Sequence, residues 1–188
     1  MPSEAALVRS RRSLLKTGAA TIAFIGVGGW FASYLTDKGA RPVLDKAVHL
    51  DPQAQVMLTK LADAVLDGML PTDAVARGRT IVEVVSTADK SIAALPPHLQ
   101  KEIKDLFGML GAAPTRAMLI GQWDGWIGAS REDVSSMLAG LRSSSISLRR
   151  GIYVLLRDTV ASSFYADPGT WKLVGYPGPL LRGPGVEV

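Results

Sequence analysis

The side chains best suited to chemistry in this chain are few and scattered. Two histidines are present, His49 and His98, and there is no cysteine. Metal-binding helices set donors three or four residues apart, because that spacing puts both on one face. Neither histidine has a second histidine at that spacing, nor an E-x-x-H pattern. Solvated or helix-capping roles fit both better. Asp63 and Asp67 lie one helical turn apart and share a face if the segment is helical. Two carboxylates alone are more often a solvated edge than a metal or acid–base site. Serine nucleophiles need an elbow such as G-x-S-x-G, and none occurs; Ser143 to Ser147 is a polar patch without an evident base. No phosphate-binding glycine loop follows a strand. Gly26, Gly28 and Gly29 sit in an apolar run with no βαβ unit around them. Arg149-Arg150 reads as a helix surface before it reads as an anion site. Trp123 and Trp126 are the open question: indoles serve as core packing or as anchors in a partner's pocket. The same division holds for Trp171 and Tyr176.

The missing cysteine excludes disulfides, thiolate metal sites, covalent haem attachment and iron–sulfur ligation by this chain. The net charge of +4 at first suggests a polyanion partner. Its distribution removes that: residues 1–40 hold five basic and two acidic residues, and residues 41–188 hold sixteen and fifteen. A nearly neutral body without runs of like charge has little purchase on nucleic acid.

The basic residues near the start belong to an address. Ser10-Arg11-Arg12-Ser13-Leu14-Leu15-Lys16 precedes about twenty uncharged residues, Thr17 to Thr36. Arg11, Arg12, Leu14 and Lys16 fit a twin-arginine export signal, read by the Tat translocase. At about 1.5 Å per helical residue the run is also long enough to cross a ~30 Å hydrocarbon core. Lys38-Gly39-Ala40 is a poor cleavage site, so an uncleaved tether in the inner membrane is open beside a cleaved leader. Either way the expected location is the periplasmic side.

The elements behind the leader read as helices. Residues 37–50 are polar and mixed and read as linker. Asp51-Pro52 is a helix start, with Asp as cap and Pro in the first turn. That helix carries Val56, Leu61, Val65 and Leu66 and stops near Gly68. After a Pro71-Thr72-Asp73 turn, Ile81, Val84, Val85, Ala88 and Ile92 recur with a period near 3.6 from Thr80 onward. Pro96-Pro97 opens a helix with Leu99, Ile103, Leu106, Phe107 and Leu110 as its stripe and Gly111 at its end. A short helix spans Thr115 to about Gln122, and Gln122 to Trp126 forms a turn. Ser130 caps the next helix, with acids in its first turn. Ser143-Ser144-Ser145 breaks it, and Ile146 to about Ala166 forms the last. The expectation is an all-α, bundle-like domain of about six helices over residues 51–166, preceded by a signal or anchor helix over 1–36. Residues 167–188, rich in Gly, Pro and aromatics, read as an extended arm lying on a surface.

Three stretches resemble the gluconate 2-dehydrogenase subunit 3 family, the small exported subunits of membrane-associated flavin dehydrogenases. The first is the leader, Ser10 to Lys16. The second is Leu61-Ala62-Asp63-Ala64-Val65-Leu66 followed by Leu70-Pro71, similar to an ADAxLP-like helix end, although Asp67-Gly68-Met69 intervenes. The third, and most specific, is Phe164-Tyr165-Ala166-Asp167-Pro168-Gly169-Thr170-Trp171 running through Gly175-Tyr176-Pro177-Gly178-Pro179. Elsewhere the likeness is loose.

The resemblance implies a large partner of the glucose-methanol-choline oxidoreductase type that holds FAD and performs the oxidation, with a cytochrome c subunit often taking the electrons. The small subunit would carry the export signal for the folded flavoprotein and stabilise it. On that reading this chain has no catalytic residue, cofactor or metal of its own. Its partner contacts would be Trp171, Tyr176, Pro177 and Pro179 first, with Trp123 and Trp126 second. Two readings compete: a free-standing tethered helical enzyme or ligand-binding protein, and an assembly factor for another redox complex.

Overall fold

The computed structural model describes residues 39–122 and 124–178. The leader with Arg11, Arg12, Leu14 and Lys16, the anchor reading, Trp123 and Pro179 lie outside the described residues. Within them the chain is all-helical: α1 (Pro52–Val65), α2 (Ala74–Ala93), α3 (Pro97–Gly111), α4 (Ala113–Ile120), α5 (Arg131–Arg142) and α6 (Ser147–Tyr165), then a 3₁₀ helix (Pro168–Val174). None of these is long and apolar enough to cross a membrane.

The helix starts follow their side chains. Asp51 accepts from the Ala54 amide and Asp73 from the Ala76 amide. Ser130 and Asp133 form a reciprocal capping box at the head of α5. Asp73 starts α2 at residue 74, a turn and a half earlier than its apolar period indicates. The reason is that the first turns of α2 carry Arg77 and Arg79 rather than core residues, so hydrophobic periodicity is silent there.

α1 is the centre, packing against α2, α3, α5 and α6, while α2 and α6 form the most extensive helix pair. Met57, Leu58, Leu61 and Ala62 of α1 are fully buried, and the α2 stripe Ile81, Val84, Val85, Ala88 and Ile92 is buried as its spacing predicts. Val134, Leu138 and Leu141 of α5 and Ile152, Leu156, Val160 and Phe164 of α6 complete the core.

The ends of α1 identify two ends of the body. At its start, Gln53 donates to the Gly111 carbonyl at the end of α3 (2.7 Å), and Gln55 takes the amides of Val43 and Leu44. Gly111 is small for a reason: a Cβ there would meet the Gln53 amide at 2.8–3.0 Å. At the far end of α1 stand the first turns of α2, the head of α5 and the tail of α6. Arg77 and Arg131 reach Asp63, and the Tyr165 hydroxyl lies 3.5 Å from Met69 Sδ.

Two segments depart from expectation. Residues 43–50, read as linker, are docked: Leu50 is buried and the strand of amides is bonded to side chains of α1 and α2. The start of the arm is likewise no extended segment over residues 168–174, but a 3₁₀ helix folded back on α6. Asp167 caps it through the Gly169 amide, and Gly175 ends it with φ +69, a conformation that suits glycine.

Candidate functional site

Asp63 and Asp67 do share a face of α1, as their spacing predicts, but two guanidinium groups already occupy it. Arg77 of α2 meets Asp63 at 2.7 Å, and Arg131 of α5 bridges Asp63 Oδ2 and Asp67 Oδ1, each at 3.0 Å. Burial pushes the Asp63 carboxyl upward; the hydrogen bonds and charges of Arg131 and Arg77 outweigh it and hold the group below its ordinary value. A carboxylate so held is neither a general acid near neutrality nor an open metal ligand. The cluster fastens α1, α2 and α5 together. Among the described residues no group of three or more His, Asp or Glu side chains could hold a metal ion.

The most unusual ionisable group was not legible as a site in the sequence. Asp89 is 2 % exposed and lies in the core-facing stripe of α2. Its two oxygens accept the backbone amides of Val48 (2.7 Å), His49 (2.9 Å) and Leu50 (2.8 Å). Three amides converging on one carboxylate make an anion cradle filled by the chain itself. Burial pulls the Asp89 carboxyl upward, but the three amide bonds, with a smaller contribution from His49, hold it below its ordinary value. Gln55, 2 % exposed, works alongside: its carbonyl oxygen takes the amides of Val43 and Leu44 and its NH2 donates to the Leu50 carbonyl. His49 and His98 are both exposed and lie on different segments. Arg149 and Arg150 donate to the carbonyls of Met118 and Ser144, which makes them surface ties between segments.

The aromatic residues separate into two kinds. Trp126 is wholly buried and its indole N–H donates to the Leu110 carbonyl at 2.8 Å. It packs the core, and a residue with no exposed surface is not a partner contact; that expectation is corrected. Trp171 is half-buried. Its indole N–H donates to the Tyr165 carbonyl at 2.7 Å, and its ring meets Tyr176 edge-on at 5.4 Å. Gly178 is buried against the same ring, where a Cβ would stand 3.3 Å from Cζ3. The Thr170 hydroxyl bonds the Phe164 and Asp167 carbonyls. Thus Trp171 is a peg that seats the segment, and what the segment presents outward is Leu173 (60 % exposed), Val174 (51 %) and Tyr176 (47 %), with Pro177 beside them.

Among the described residues, two surface depressions lie beside the docked segment. One, about 430 Å³, lies open between residues 43–46 and α2, lined by Asp45, Lys46, Glu83, Ser86, Thr87 and Lys90 with three apolar neighbours. The other is a crevice of about 20 Å³ near Leu50 and Phe107, roughly room for one water. Neither gathers nucleophile, base and oxyanion donors at one point.

Compared with protein-family models, with curated proteins and with solved structures, the chain shows no match.

Proposed function

We propose that this chain is a non-catalytic accessory subunit of a periplasmic, membrane-associated, FAD-dependent dehydrogenase. It carries the twin-arginine signal that exports the folded flavoprotein with it, and it stabilises that partner, which holds the FAD. A cytochrome c subunit is the further member such complexes would use to take electrons.

One observation carries the reading. The segment most like the small-subunit family, residues 164–178, displays adjoining exposed apolar side chains, Leu173, Val174 and Tyr176, on a seat built from Trp171. Adjoining exposed apolar side chains held in place by a hydrogen-bonded tryptophan suit a contact surface, and Tyr is among the residues enriched at interfaces.

The test is affinity isolation of the full chain from its host in mild detergent, with an internal tag in a surface turn so that the C-terminal segment is free. Co-isolation of a larger protein with the visible spectrum of an oxidised flavin is the expected result. Isolation of the chain alone and colourless from cells that express both genes would overturn the reading. A small-molecule activity in the chain alone would favour the free-standing alternative.

A further inference from the structure

The depression between residues 43–46 and α2 has a volume of about 430 Å³, within the roughly 300–1,000 Å³ of small-ligand sites. Four charged side chains line it: Asp45 and Lys46 from the docked segment, Glu83 and Lys90 from α2. Two acids and two bases in one depression invite pairing. Among the described residues, however, none of the four stands within ion-pair distance of an opposite charge. Helix geometry accounts for the α2 pair. Glu83, Thr87 and Lys90 fall at i, i+4 and i+7, on one face, so the two charges are two turns or ~10 Å apart. Lys46 belongs to the Lys90 end. It lies two residues before Val48, whose amide is held by Asp89, the neighbour of Lys90.

The neutral groups between these charges are also available. Ser86 and Thr87 line the depression half-buried, and neither hydroxyl bonds another described residue. The hydroxyls of Thr59, Thr159 and Ser163, by contrast, donate to the carbonyl four residues back. Within segment 43–50, Gln55 and Asp89 take the amides of five residues. The amides of Asp45, Lys46 and Ala47 make no hydrogen bond to another described residue.

This lining selects for one kind of ligand. A plain anion meets Asp45 and Glu83, and a plain cation meets two lysines, so like charge opposes both. A molecule with opposite charges about 10 Å apart and polar groups between them meets neither obstacle. A peptide extends at most about 3.3–3.6 Å per residue, so three residues with free termini match the span. Its own amides and carbonyls suit the hydroxyls and free amides, and Val82 offers an apolar contact for a side chain.

We propose that the depression between residues 43–46 and α2 binds a zwitterionic peptide of about three residues, with its ammonium at Glu83 and its carboxylate at Lys90 and Lys46. All four charges are exposed, so each contact is weak and the affinity is modest. The site uses no residue of the Leu173–Tyr176 segment and does not depend on the accessory-subunit reading.

The test titrates trialanine onto the full-length chain in mild detergent, followed by saturation-transfer NMR. Saturable binding with a dissociation constant on the order of 1–10 mM is expected. N-acetyl-trialanine lacks the ammonium and trialanine amide lacks the carboxylate; each is expected to bind about three- to fivefold more weakly. Glu83→Gln is expected to weaken trialanine by the same factor and to leave N-acetyl-trialanine unchanged. Lys90→Gln is expected to weaken trialanine and to leave trialanine amide unchanged. Neither side chain bonds another described residue, and the blocked peptides probe the same contacts in the unaltered chain. Absence of saturation up to about 50 mM, equal binding of the blocked peptides, or a Glu83→Gln loss shared by every peptide would overturn the site. Tighter binding of dialanine than of trialanine would overturn the end-to-end placement.

Discussion

Asp89 does at the scale of one residue what no pattern of residue types announces. Its charge is buried with no Lys or Arg paired to it among the described residues, and three amides of residues 48–50 provide the compensation. Removing the acceptor leaves those amides to water or to nothing. Hydrogen bonds to charged groups contribute about 1.5–3 kcal/mol each in burial, less where water replaces them. Only the Leu50 bond is fully buried, so Asp89→Ala is expected to lower unfolding free energy by about 3 kcal/mol in urea denaturation. The pH dependence follows from the lowered folded pKa. A carboxyl with a folded value below its unfolded value, near 3.9, stabilises the fold fully above that unfolded value and loses its contribution as pH falls through the folded one. The gap in stability between the wild type and Asp89→Asn is therefore expected to be constant above about pH 5 and to narrow below about pH 4. A gap that widened on acidification would contradict this assignment.

At the scale of elements, the ion cluster shows what the sequence did and did not disclose. The spacing of Asp63 and Asp67 was readable as a shared face. Their partners were not, because Arg77 and Arg131 are fourteen and sixty-eight residues from Asp63 and arrive only when α2 and α5 pack on α1. The cluster is partly exposed, Asp67 at 58 % and Asp63 at 27 %, so water and salt screen part of its energy. Asp63→Asn is expected to cost about 1 kcal/mol, with the loss shrinking in concentrated salt. Millimolar calcium or magnesium is expected to leave the melting temperature of the wild type unchanged, since guanidinium groups already hold both carboxylates; a saturable rise would point to a metal site. The caps and stripes were legible for the same reason that the partners were not. Asp51, Asp73 and Ser130 act on amides three residues away, and the α2 stripe needs only its own period. The docked stretch 43–50 was illegible because its order comes from Asp89, about forty residues later. The 3₁₀ turn was hidden by its glycines and prolines, which forbid a long α-helix but suit a short capped turn. Trp126 and Trp171 could not be told apart by composition; only the packing makes one a core residue and the other a peg.

At the scale of the molecule, the exposed segment that follows α6, Leu173 to Tyr176, yields a decisive comparison. Deleting everything after Asp167 is a poor test of partner binding. It also removes Thr170 and Trp171, whose bonds to the Phe164 and Tyr165 carbonyls finish α6. A fall in co-isolation would then mix lost contact with a frayed helix. Separate substitutions keep the two apart. Leu173→Ser with Tyr176→Ser changes outward side chains and leaves the Trp171 bond to Tyr165 in place. Its thermal stability is expected to stay within about 0.5 kcal/mol of wild type, apart from the lost edge contact with Trp171. Co-isolation of the flavoprotein is expected to fall at least tenfold, since interface energy concentrates in a few buried large side chains. Trp171→Ala removes the peg and leaves Leu173 and Tyr176 in the sequence. It is expected to lower stability by about 2 kcal/mol and to weaken co-isolation as well, because the displayed side chains lose their fixed arrangement. Undiminished co-isolation in the double serine variant would remove this segment from the interface. Loss in the tryptophan variant alone would mean that the seat, and not the side chains it displays, is what the partner reads.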